Sequence, residues 1–229
     1  MSRPLRLALL CVVVLGLPGG ATAADAPTKD EWAPVVQAIA DQTPEAGPQL
    51  AAITDKYPKW AGGWIERARY DLAAGQPEEA WKHSRKALDL ERTNGEAAAL
   101  AVQALTKVGR NDDALTVADY FRTNRQHDKQ SGGRAGWVSF YASQAALTAK
   151  TPDLAKADEF IKAAKASAGA AVPGEFHYLD AKLMIRRGDL VGAAKSLERA
   201  VAGESRLWDA WYELGRVRSA LAEGETTAP

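Results

Sequence analysis

Cysteine is nearly missing from this chain of 229 residues: Cys11 is the only one, and it lies inside the apolar run Leu7–Leu17. Beyond that run there is no thiol, which excludes a disulfide framework or a thiolate metal site from the body of the protein. Histidine is scarce as well. His83, His127 and His177 are too far apart to form a helix-borne metal pair of the H-E-x-x-H kind. A phosphate loop is missing too. Gly132-Gly133-Arg134-Ala135-Gly136 is rich in glycine, but it lacks the lysine and hydroxyl of a P-loop and follows no strand. Nor is there an excess charge of one sign. The 29 basic residues against 29 acidic ones exclude the basic surplus of a typical nucleic-acid binder. No constellation of nucleophile and base stands out. The chain is therefore expected to be no enzyme, with no cofactor and no metal.

The first residues read as a secretory signal. Arg3 and Arg6 precede the apolar run of 11 residues, Pro18-Gly19-Gly20 breaks it, and Ala21-Thr22-Ala23 has the small-x-small form of a cleavage site. A run that short falls well below the ~20 residues that cross a bilayer. The bulky Leu10 before Cys11 does not fit a lipid-attachment site. The expectation is a signal peptide over residues 1–23, cleaved near Ala23. It would leave a periplasmic or secreted protein with no stable membrane insertion. Removing Arg3 and Arg6 leaves 27 basic against 29 acidic residues, a net charge near −2.

What the chain has in abundance is alanine and an internal period. Gly75 is followed five residues later by Ala80, and Gly109 by Ala114, 34 residues on; Gly188 and Ala193 repeat the spacing. The fullest copy starts at Ala61, with Trp64, Ala68, Gly75, Ala80, Ala87 and Leu88 at positions 4, 8, 15, 20, 27 and 28. The copy at Gly95 has Val102, Gly109, Ala114 and Phe121 at positions 8, 15, 20 and 27. The copy at Gly174 carries Ala181, Gly188, Ala193 and Ala200 there, and 34 residues further come Trp208, Trp211, Leu214 and Gly215. In a middle copy from Val138, Ala145, Ala157 and Ala164 keep positions 8, 20 and 27, while Pro152 stands where glycine is expected. Working backward, Ala46 falls at position 20 of a unit starting at Pro27, with Pro34 at position 8 a poor match.

These residues resemble the tetratricopeptide repeat, whose pattern is W-x2-L-G-x2-Y, then A-x3-F, A and P. The resemblance implies an all-α fold, an α-solenoid of antiparallel helix pairs wound as a right-handed superhelix. Its units fall near residues 27–60, 61–94, 95–128, 138–171, 174–207 and 208–222, with a flexible tail over 223–229. Small residues at positions 8 and 20 let paired helices approach closely, and the glycine at 15 supplies a left-handed stop. Trp64 and Trp211 are expected in the packing, Trp60 and Trp208 partly exposed, and His83 on a polar helix surface. Thr28 with Glu31 has the form of a capping box. Pro77 and Pro152 are placed at the first position of their helices. The phase slips after Phe121, so Arg122–Gly133 reads as an extended turn.

The resemblance also implies that the first helices of successive pairs line a groove through their positions 2, 5, 9, 12 and 13. Carried over, those positions give the candidate partner-binding residues Arg69, Gln103, Lys107, Lys150, Tyr178, Lys182, Arg186, Tyr212 and Arg216. None of these is acidic, although Glu96, Glu175 and Asp209 stand at position 2. The expected function is a scaffold or adaptor holding a protein or peptide, either an acidic segment or a C-terminal carboxylate, in envelope assembly or secretion. The asparagines of the family's carboxylate clamp are absent. The alternative is a glycan, peptidoglycan or small-ligand binder that stacks on Trp60, Trp208 and the tyrosines.

Overall fold

The computed structural model describes residues 25–124 and 134–226. Among them are eleven α-helices and no strand: α1 (Lys29–Ala40), α2 (Ala46–Lys56), α3 (Ala61–Ala73), α4 (Pro77–Leu90), α5 (Gly95–Val108), α6 (Asn111–Asn124), α7 (Arg134–Thr148), α8 (Leu154–Ala168), α9 (Gly174–Arg186), α10 (Leu190–Gly203) and α11 (Trp208–Thr226). Each helix packs on the next. The main contacts that skip a helix join α3 to α5, α5 to α7 and α7 to α9. That pattern is a one-dimensional stack, in which odd-numbered helices form one layer and even-numbered helices the other. The core is accordingly a string of clusters along the stack and not one centre.

The hairpins close where the period puts small side chains. Ala68, Val102, Ala145 and Ala181 at position 8 are fully buried, and so are Ala80, Ala114, Ala157 and Ala193 at position 20. Small side chains on each side let two helix axes come near the lower end of the usual 8–10 Å range. Gly75, Gly109 and Gly188 end their helices with φ of +74°, +85° and +78°, a backbone region that a side chain disfavours. In the α7–α8 hairpin, which has no such glycine, the Asp153 side chain accepts from Lys156 N–H at 2.8 Å and its own N–H donates to the Ala146 carbonyl at 3.1 Å. Asp153 is thus the N-cap of α8. Pro152 lies ahead of it and not at the first helical position, a correction to the sequence expectation.

The ends of elements sharpen other expectations. The Thr28–Glu31 capping box is present in full. Pro34 stands inside α1 on its exposed side, so Val35 and Ala38 carry the burial. Helix α2 begins at Ala46 and holds Pro48 in its first turn, where a missing N–H leaves no bond unmade. Arg122, Thr123 and Asn124 still belong to α6, so the expected turn does not start at Arg122. Residues 125–133, with His127, lie outside the described residues, as does the expected signal segment. Helix α7 starts at Arg134, a turn before Val138. That extra turn packs because Ala135 and Gly136 are small: a Cβ on Gly136 would stand 3.3 Å from the Ala164 carbonyl oxygen. At the other end, α11 runs through Glu223 to Thr226.

The register has a direct test. Ala193→Leu forces a larger side chain into a closed crossing and is expected to lower unfolding free energy by about 1–3 kcal/mol in urea denaturation. An unchanged midpoint would mean that position 20 is not a helix crossing.

Candidate functional site

The odd-helix layer carries a pocket of about 170 Å³ where α3, α5 and α7 meet. Its floor is Ala99 and Leu100, its aromatic wall Trp137 and Tyr141, and its polar rim Arg69, Glu96, Gln103 and Arg134. The rim is an ion-pair network. Arg69 pairs with Glu66 at 2.6 Å and also with Glu96, which in turn faces Arg134 at 3.5 Å. Burial and the neighbouring Arg69 hold the Arg134 guanidinium below its ordinary pKa. The wall is fixed by an aromatic node: Trp137 meets Phe176 edge-on at 5.0 Å, and Phe140 stacks on Phe176 at 5.0 Å. Burial, with Glu175 nearby, pushes the Tyr141 hydroxyl up to about 12, so it stays protonated.

The nine residues expected to line a groove fall on this layer, and the structure divides them. Arg69 is neutralised by two glutamates, and Arg216 lies 3.3 Å from Glu213 on its own helix. Glu96 at position 2 reaches across to position 9 of the preceding repeat, a pairing that a one-helix count does not show. Gln103 joins the pocket rim. Lys107, Lys150, Lys182 and Arg186 are exposed and have no acidic partner among the described residues. Arg186 donates to the Leu147 carbonyl at 2.9 Å, which ties the end of α9 to the end of α7. Lys182 lies over the Tyr178 ring at 5.5 Å. Tyr212 is exposed on α11.

No family model matches the chain, and the curated proteins contain no match to it. Among solved structures, a thermophilic TPR protein of Thermus thermophilus superposes with a TM-score of 0.63. It is 15% identical, and the match covers 82% of this chain and 97% of that one. The fold is that of a tetratricopeptide array.

In the array's own positions, two aromatic expectations resolve differently. Trp64, at position 4 of its repeat, is buried, whereas Trp211 at the same position is 47% exposed, a correction to its expected place in the packing. The cause is that α4 covers Trp64 and no comparable helix among the described residues covers Trp211. Trp60 packs edge-on against Trp32 at 5.0 Å and is half-buried, while Trp208 is 74% exposed. The pocket residues Arg134, Trp137 and Tyr141 are missing from the expected groove set, because a unit counted from Val138 leaves them out of register. The adjacency of Gly136 and Trp137 to a period-breaking turn is the one signal in the sequence that points to them.

His83 is the other correction. Its expected place is a polar surface, yet it is buried, with Nδ1 2.6 Å from an Asp71 oxygen and its ring stacked on Trp64 at 5.7 Å. Asp71 is buried as well, so each polar group makes the other's burial tolerable. Removing one partner strands the other. Asp71→Ala is expected to cost about 1–3 kcal/mol of stability, read by chemical denaturation. Asp71→Asn, which keeps a hydrogen-bonding side chain, should recover part of the loss.

Proposed function

We propose that this protein is an exported scaffold that holds an acidic segment of a partner protein along the odd-helix layer of its array. The observation that carries the reading is the band Lys107, Lys150, Lys182 and Arg186. These are exposed cations at or near the C-terminal ends of three successive odd helices, without acidic partners among the described residues. The Tyr178 ring beside Lys182 adds rigid contact area at low entropy cost. The pocket floored by Leu100 and walled by Trp137 and Tyr141 supports the same reading, since a bound segment needs an apolar anchor as well as charge. Export rests on the form of residues 1–23, which supports work in the periplasm or outside the cell. A TPR-type surface is suited to holding rather than converting its guest, so the function is binding without catalysis.

The trial is a charge reversal. Lys182→Glu with Arg186→Glu turns two like attractions into repulsions on an exposed surface. Each contributes on the order of 0.2–1 kcal/mol before reversal. Binding of a fluorescent Asp/Glu-rich peptide should weaken about ten-fold or more, and the remaining affinity should depend less steeply on salt. Unchanged affinity in a variant with native circular dichroism would refute the assignment. Retention of the wild-type chain on peptidoglycan, with no peptide binding, would favour the glycan reading instead.

A further inference from the structure

Helices α3 and α11 open in the same way. Trp64 and Trp211 occupy position 4, and each indole N–H donates to the backbone carbonyl six residues earlier: Trp64 to Pro58 at 2.9 Å, Trp211 to Ser205 at 3.1 Å. The two rings are therefore held in the same pose. Four residues further on, at position 8, stand Ala68 and Gly215. In α3 these residues form the seat of α4. Trp64 is only 5% exposed, His83 stacks on it, and the Lys86 ammonium sits 4.1 Å above its ring. In α11 the seat is complete but open. Trp211 is half exposed, and a Cβ built on Gly215 would meet nothing within 4 Å. The neighbour that α11 does have, α10, packs on the side of Ala210, Leu214 and Val217.

An aromatic and small-residue seat of this kind accepts an amphipathic helix laid into it. The equivalent contact in α3 indicates which one. Along α11 Asp209, Glu213 and Glu223 stand against Arg216 and Arg218, and Arg216, which lines the seat, lies 3.3 Å from Glu213. A cation over the Trp211 face would repeat the Lys86–Trp64 contact, an attraction between charge and ring quadrupole. We propose that α11 is a docking seat for a basic amphipathic helix of a partner protein, with a small residue crossing Gly215 and a lysine or arginine over Trp211. This site is distinct from the cation band on α5, α7 and α9, which takes the opposite charge.

The test uses the full chain and a labelled helical peptide of alanine, leucine and lysine, with the lysines replaced by glutamine in a control peptide. Fluorescence anisotropy should show the lysine peptide bound and the glutamine peptide at least about ten-fold weaker. Gly215→Leu fills the seat in open space, so the fold should hold by circular dichroism while peptide affinity falls about ten-fold or more. Trp211→Ala should do the same. Lys182→Glu with Arg186→Glu should leave this binding unchanged, which separates it from the groove. Three results would overturn the proposal: no binding of the lysine peptide, equal binding of both peptides, or undiminished binding by Gly215→Leu. So would a dimer in sedimentation that Gly215→Leu dissolves, because the seat's occupant would then be a second copy of the chain.

Discussion

The whole structure depends on small apolar side chains where helices cross. At positions 8 and 20 of its repeats the chain places alanine or valine, and every one of these from Ala68 to Ala193 is closed from solvent. With no thiol beyond residue 11, nothing covalent cross-links the array. Stability must come from neighbour on neighbour, so a fault at one crossing acts first on its own hairpin and the ones beside it. Close approach also sets the layer geometry. When paired helices nest this tightly, the larger residues at positions 4 and 27 have to be taken up between successive pairs. Trp64, clustered with Ala97 and Leu100 of α5, and Phe121, in the cluster with Val138 and Phe160, are examples.

Where that constraint repeats, the sequence is easily read. The hairpins, their glycine stops and their crossing residues follow from one 34-residue period. The capping box at Thr28 and the acids at the starts of α4 and α6 follow from local backbone chemistry. The places that resist reading are those where two distant residues settle one another. His83 reads as a surface residue until Asp71, twelve residues earlier, is set opposite it. Arg69 reads as a free groove cation until Glu96 of the next repeat reaches it. Trp211 reads as core because its position is core elsewhere, and only the lack of a cover makes it surface. A repeat fixes positions on a helix, whereas these three outcomes depend on what the neighbouring helix brings.

The same distinction governs the candidate site. The residue types of the band are visible as position-9 and position-13 members of the period, but their availability is not. Of the basic groove residues, Arg69 and Arg216 have carboxylates at hand, whereas Lys107, Lys150, Lys182 and Arg186 have none among the described residues. The pocket beside α5 arises from a feature that breaks the period, the extra first turn of α7. That turn brings Arg134 to Glu96 and Trp137 over the Leu100 floor. The pocket thus lies where the period breaks, whereas the band uses the period's own positions 9 and 13.

The odd helices also share a polarity that organises their surface. Glu96, Glu175 and Asp209 sit in the first turns of α5, α9 and α11, where an acid complements the positive end of the helix dipole. Lys107 and Arg186 sit in the last turns of α5 and α9, where a cation complements the negative end. Because the odd helices run in the same sense, these local preferences add up to an acidic edge and a basic edge along one layer. On the acidic edge Glu96 is claimed by Arg69 and Arg134, while Lys107 and Arg186 on the basic edge have no acidic partner among the described residues. The two edges therefore differ in charge even though the protein as a whole carries almost no net charge.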